Sequence, residues 1–227
     1  MHRSILAVLF GTFTLRFSTG LTGTLLFYYL ADLPRHGGPD VSAFVVGLMT
    51  AAYFVAELVL SPIFGVFSDR LGSHRVMQWG PVFGGVAVVL TGITTNLPLL
   101  SITRLLEGAA GAASIPSILG YIAHATTGDE LLRGRTVARF EAATLAGLGA
   151  GVVAAGVLYD LIGREAFFAN AGIYLVSLLI YRYGVGELPN EAQAGVASAP
   201  ASDPRDGQRR FGLDIARYRG VLASASV

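Results

Sequence analysis

Cysteine and lysine are both absent from the 227 residues, and charge of either sign is scarce at 14%. Without cysteine there is no disulfide framework and no thiolate to hold a metal. Without lysine all 16 basic side chains are arginines, set against 15 acidic ones, so no basic field exists for nucleic acid. A soluble domain carries about 25% charged residues and needs them to coat its surface. The deficit excludes a water-soluble enzyme, a disordered chain and a nucleic-acid binder. What fills the chain instead is apolar: 53% hydrophobic residues and a mean hydropathy of +0.60. That is enough for about six segments of about 20 residues, the length at which a helix crosses a hydrocarbon core of about 30 Å.

Apolar runs lie at 4–30, 42–67, 76–95, 97–123, 136–159 and 166–181. None shows the period-two alternation of short membrane strands, so the predicted class is all-α, a polytopic transmembrane bundle of six spans. The first run reads as a retained span and not a cleaved signal peptide, because Arg16 interrupts it and no A-x-A site follows. The joints carry turn chemistry, including 32–40, 69–75, 96–98, 124–135 and 160–165. Pro62, Pro81 and Pro116 fall inside runs, where neighbouring helices can re-satisfy the freed carbonyls.

Arginine placement sets the orientation. With the N-terminus inside, Arg3, Arg70, Arg75, Arg133, Arg135, Arg139, Arg182 and the five arginines from Arg205 to Arg219 are cytoplasmic, while Arg35 and Arg164 are outside. The positive-inside rule then favours N-in and C-in. Tyr28 and Tyr29 are expected at the outer interface, and Trp79, Tyr121, Tyr181 and Tyr183 at the inner one. The domain division follows: 1–186 a six-helix membrane domain, 187–211 a flexible cytoplasmic linker, and 212–227 an amphipathic segment or the start of a seventh span.

Arg16, Glu57, Arg104 and Glu107 sit well inside runs. Each costs at least about 2.5–3.5 kcal/mol at a helix centre, so they should face the bundle interior or a wet cavity. Helical spacing gives each a face: Thr12, Arg16, Thr19 and Gly23 on the first run, Tyr53, Glu57 and Ser61 on the second, Arg104, Glu107, Gly108 and Gly111 on the fourth. Arg104 and Glu107, one turn apart, can bridge. Either the charges lock helices together or they line a polar or proton pathway. In the second reading Arg16, Tyr53 and Glu57 form the substrate cavity, and Arg16, able to grip a carboxylate or phosphate bidentately, opens the way to an anionic substrate. Gly147, Gly151 and Gly156 supply a close-packing surface on the fifth run. The string from Gly149 to Ala154 also matches a dinucleotide-binding G-x-G-x-x-A. It lies in mid-span with no preceding strand, so nucleotide binding is rejected. His2, His36, His74 and His124 fall in termini or joints. No metal site, cofactor or catalytic constellation is expected.

The joint after the second run reads Gly65-Val66-Phe67-Ser68-Asp69-Arg70-Leu71-Gly72-Ser73-His74-Arg75. It resembles the G-x-x-x-D-R-x-G-R-[RK] signature of the major facilitator superfamily, at the place where that family carries it. Ser73 and His74 depart from the family's basic pair, and Arg75 follows directly. Gly65 should allow close helix contact, Asp69 should cap a helix or pair with arginine, and Gly72 should make the turn. Arg104-Leu105-Leu106-Glu107-Gly108 is similar to the family's fourth-helix R-x-x-x-G pattern. The glycine-rich fifth run is similar to the antiporter motif, with Val152 where its proline would stand.

The resemblance covers about residues 4–186. It implies half of a two-half transporter, each half built from 3+3 inverted repeats, with substrate bound between the halves near mid-membrane. It implies a gate latch at Gly65, Asp69, Arg70, Gly72 and Arg75, and coupling through Arg104 and Glu107. The expected protein is thus a multi-pass component of the cytoplasmic (inner) membrane and not an enzyme. It is expected to use alternating access and proton coupling to move a drug-like compound, a sugar or an organic anion. Its partners would be the lipid bilayer, the small molecule, a proton and a second six-helix half. A truncated or non-transporting protein that only assembles with a partner half is the alternative.

Overall fold

The computed structural model describes residues 2–188. Among them there is no strand. The helices are α1 (His2–Asp32), α2 (Ala43–Leu71), α3 (Ser73–Val76), α4 (Trp79–Ile93), α5 (Leu97–Ala125), α6 (Glu130–Ile162) and α7 (Ala166–Leu179). Short 3-10 turns at Leu33–His36 and Gly163–Glu165 join elements, and α7 runs on as a π turn, Ile180–Gly184. Each apolar run is therefore helical. Five segments are long and apolar enough to cross a membrane, the last being the continuous stretch Glu130–Gly184. All of 212–227 and the expected linker from 189 onward lie outside the described residues.

Helix starts follow local chemistry. The Oγ of Ser42 accepts from the Val45 amide at 3.4 Å, Asn96 caps α5 through Leu99 N at 3.1 Å, and Asp129 caps α6 through Leu132 N at 2.8 Å. Pro98 sits in the first turn of α5 and Pro81 in that of α4, where a missing amide proton costs nothing, so Pro81 does not interrupt a helix interior as Pro62 and Pro116 do. The α-helical part of α4 has 15 residues, or about 22 Å at 1.5 Å per residue. The preceding α3 brings that apolar segment to 21 residues.

Several expected boundaries move outward. Helix α2 continues one turn past its apolar run, so Asp69 and Arg70 are helical and not in a loop. His74 lies in α3, buried, and His124 is in the last turn of α5. The cause is the same in each case: polar residues extend a helix beyond the apolar stretch when nothing local breaks it. The break after α2 is Gly72, whose φ of 93° suits a residue without a side chain.

Packing is pairwise and glycine-lined. A Cβ on Gly147 or Gly151 of α6 would strike the backbone of α1 at Phe13 and Phe17, so these helices lie nearly backbone to backbone. In the same way a Cβ on Gly108 of α5 would strike the α2 carbonyl of Tyr53. The phenol of Tyr174 and the side chains of Phe167 and Phe168, all on α7, cover Gly84 and Gly92 of α4. Gly156 meets the Tyr28 hydroxyl, 3.4 Å from where its Cβ would be, rather than another backbone.

Helices α6 and α7 run in opposite directions along α1. Residues 147, 151 and 159 of α6 lie by 13, 17 and 28 in turn. On α7 the order is reversed: Asn170 Nδ2 donates to Ser18 O at 3.1 Å and Thr22 Oγ1 at 2.6 Å, and Ser177 Oγ donates to Gly11 O at 3.1 Å. Further on, Gly186 N meets Ser4 Oγ at 3.3 Å, so the start of α1 and the end of α7 share one end of the bundle. Across α4 and α5, Thr91 donates to Thr103 at 2.9 Å.

Three expected interfacial aromatics, Tyr29, Tyr121 and Tyr181, belong to the core. Tyr29 is fully buried and donates to Thr94 O at 2.8 Å, and Tyr181 is fully buried against Gly11. Tyr183, by contrast, is exposed.

Candidate functional site

A cavity of about 300 Å³ opens between α1, α2, α5 and α6. Its polar lining comes from Arg16, Thr19 and Thr24 on α1, Thr50, Tyr53 and Glu57 on α2, and Arg104 and Glu107 on α5. Leu26, Phe27, Phe54, Leu148 and Val152 supply apolar wall. The four ionisable residues placed inside spans by the sequence therefore converge on one space, and Tyr53 joins them.

Glycine on the partner helix makes room for Arg16 and for Glu57. Gly147 of α6 lies against Arg16, with its missing Cβ 3.1 Å from the Arg16 Cβ, and Arg16 keeps only 8% of its surface exposed. Gly111 of α5 lies under the carboxylate of Glu57, and its missing Cβ would be 3.3 Å from the Tyr53 hydroxyl. That places Tyr53 and Glu57 one turn along α5 from Glu107. Arg104 and Glu107 form an ion pair through Nη2 and Oε1, both nearly sealed from solvent at 4% and 3% exposure. The Nε of Arg104 is buried with no acceptor.

The predicted stripes are shorter than expected. Thr12, whose hydroxyl donates to Val8 O at 2.8 Å, and Ser61, whose hydroxyl donates to the Glu57 carbonyl, do not line the cavity. Gly23 does line it, whereas Gly108 is spent on α2 packing.

The signature joint is arranged differently from its expected reading. A Cβ on Gly65 would meet nothing within 4 Å, so this glycine makes no close helix contact here. Asp69, Arg70 and Arg75 are exposed and form no ion pair with one another, and Asp69 caps no helix. Gly72 makes the turn. The two departures from the signature carry the contacts instead. Ser73 Oγ meets Ser68 Oγ at 3.0 Å, and His74 Nε2 lies 3.1 Å from Tyr181 O, with its Nδ1 3.7 Å from Glu187. Tyr121 adds a bond to Gly186 O at 2.9 Å. Tyr174 and Asn170 are structural residues that the sequence did not single out, and His74, noted there only as a joint residue and a departure from the signature, is a third. A lone asparagine in an apolar run was the available signal for Asn170.

Comparison with known proteins agrees with this architecture. A family model described as the Major Facilitator Superfamily matches residues 8–223. Over 140 residues the chain is 30% identical to multidrug resistance protein 1 of Bacillus subtilis, an alignment covering 62% of this chain and 36% of that protein. Over 123 residues it is 26% identical to the quinolone resistance protein NorA of Staphylococcus aureus, covering 54% of this chain and 30% of that protein. The matched stretch thus spans about a third of each relative. With a family match across nearly its whole length and an all-helical bundle of apolar segments, this chain is an integral, multi-pass membrane protein and belongs to the major facilitator superfamily.

Proposed function

We propose that the chain forms one six-helix half of a secondary active transporter that works by alternating access, driven by protons, on a small drug-like molecule. The single observation that carries this reading is the convergence of Arg16, Tyr53, Glu57, Arg104 and Glu107 on one cavity at the centre of helices otherwise surfaced for lipid. Intramembrane charge is expensive, and a bundle held only by packing has no use for it at a hollow.

The antiparallel legs α6 and α7 support six crossings, and the meeting of Ser4 with Gly186 at one end supports N-in and C-in. The paired contacts α1 with α6, α2 with α5 and α4 with α7 are those expected of two inverted three-helix repeats. Helices α2 and α6 bury the least of their apolar surface and flank the cavity, a face suited to a matching half. In this reading Gly65, Asp69, Arg70, Gly72 and Arg75 form the cytoplasmic gate against that half, and the open space beside Gly65 receives it.

Coupling is assigned to Arg104 and Glu107. While the pair is closed, the guanidinium occupies the carboxylate; when helix motion opens it, a proton can take that place. The membrane is assigned as the cytoplasmic one, and the names of both relatives, which speak of drug resistance, support outward movement of drug-like compounds. Everted vesicles from cells expressing the natural gene product would test this with ethidium as the probe. An imposed pH gradient should drive uptake, and Glu107→Gln should abolish the gradient dependence. Uptake equally gradient-driven in that variant would overturn the coupling assignment, and no gradient-driven uptake of any probe would overturn the transporter.

A further inference from the structure

The partners of the four cavity charges divide them into two sets. Arg104 and Glu107 answer each other within α5. Arg16 and Glu57 are in no ion pair among the described residues, although each is close enough to interact with the hydroxyl of Tyr53 and with the charge of the other. They arrive from different packed pairs, Arg16 from α1 on α6 and Glu57 from α2 on α5. The cavity therefore presents one cation and one anion that face each other across a phenol without a direct ion pair, with walls of Leu26, Phe27, Phe54, Leu148 and Val152.

A ligand carrying a single charge gains from one of these groups and loses to the other. A neutral ligand leaves both facing apolar atoms. A ligand with both signs satisfies both, and the guanidinium fork matches a carboxylate bidentately. We propose, building on the transporter reading, that this site takes a zwitterion: an aromatic or apolar body whose carboxylate lies on Arg16 and whose ammonium lies on Glu57, with the Tyr53 hydroxyl displaced or shared between them. The cavity, at the small end of ligand pockets, limits the body to a compact one.

The test uses three compounds of one skeleton: 4-(aminomethyl)benzoate as zwitterion, its methyl ester as cation and its N-acetyl derivative as anion. Binding to the natural gene product in detergent is measured by equilibrium dialysis at pH 7. The zwitterion should bind at least tenfold more tightly than either derivative. Glu57→Gln should move the preference to the anion and Arg16→Gln to the cation, each weakening the zwitterion about tenfold. Arg16→Lys, which keeps the charge but loses the fork, should keep the order with weaker binding, and thermal melting shows that each variant is folded. Equal binding of the three, a tighter singly charged compound, no binding at all, or an order unmoved by the substitutions would overturn the proposal. Because dialysis needs no gradient, zwitterion binding without transport would sink the transport reading alone, and transport without this charge ranking would sink only the zwitterion.

Discussion

Replacing Arg104 with glutamine takes away the cation that faces Glu107 and leaves a carboxylate with 3% exposure in a site built around the pair. Breaking a buried pair from one side costs about 3–5 kcal/mol, because the remaining charge is neither solvated nor compensated. Glu107→Gln strands the guanidinium in the same way, with an Nε that already has no acceptor. The double variant, glutamine at both positions, strands no charge and keeps donors and acceptors one turn apart, so its cost should be about 1 kcal/mol. The signature is thus a double variant more stable than either single one by about 2 kcal/mol or more, which is a coupling of at least about 5 kcal/mol. For a bundle of this size each kcal/mol shifts Tm by about 2–4 °C, so the single variants should fall by about 6–12 °C or more and the double by only a few degrees. Thermal unfolding followed by circular dichroism in detergent reads this directly. If the losses simply add, the two residues do not act as a unit. If the single variants melt like the parent, the cavity hydrates both groups and the coupling assignment loses its basis.

Helix α6 carries its own control: Gly151→Leu should force α1 away at Phe17 and cost about 1–3 kcal/mol, while Gly149→Ala, which meets nothing within 4 Å, should stabilise by up to about 1 kcal/mol through helix propensity. Melting curves that rank the two the other way would contradict the α1–α6 packing. His74→Ala should release the end of α7, raising amide hydrogen exchange across 181–187 by roughly five- to thirtyfold, the equivalent of about 1–2 kcal/mol; unchanged exchange would mean that His74 anchors nothing. The natural absence of cysteine makes the chain its own background for accessibility mapping. Cysteine at Arg35 should react with an impermeant maleimide from the outer side of intact cells, and cysteine at Arg75 only after permeabilisation; the exchanged pattern would reverse the assigned orientation, and reaction of both from one side would deny that α2 crosses between them.

Length and hydropathy made the helices legible, because a span must be apolar for about 20 residues and few other folds share that demand. The cavity charges were legible for the same reason, since Arg16, Glu57, Arg104 and Glu107 stand out against an apolar background. What could not be read was partnership across helices. Asn170 bonding to Ser18 and Thr22, or His74 reaching Tyr181, joins residues more than a hundred positions apart, and no local spacing encodes that. Faces were misjudged at the stripe ends: Thr12 and Ser61 lie on the predicted stripes but outside the cavity, while Thr19, which bonds its own helix just as they do, lines it. Gly65 was read as a contact because its motif implied one, yet a Cβ there would meet nothing within 4 Å.

The glycines and the cavity charges turn out to belong to one device used twice. Arg16 on α1 backs onto Gly147 of α6, and Glu57 on α2 backs onto Gly111 of α5. A long ionic side chain on a helix packed by bulky residues would have to leave through the lipid face, where it costs several kcal/mol. A glycine opposite lets the backbones close up and the side chain turn inward, so close packing and an inward-facing charge are consequences of the same missing Cβ. In one pair the charge so housed is positive and in the other negative. Gly111→Ala therefore tests more than packing. The added methyl would land on the Glu57 carboxylate, so that side chain must move while the contact of Gly108 with the Tyr53 backbone stays. Ligand preference should then shift toward the anion with a loss of stability of about 1–3 kcal/mol at most; a preference left as it was would separate the glycine from the site it is held to shape.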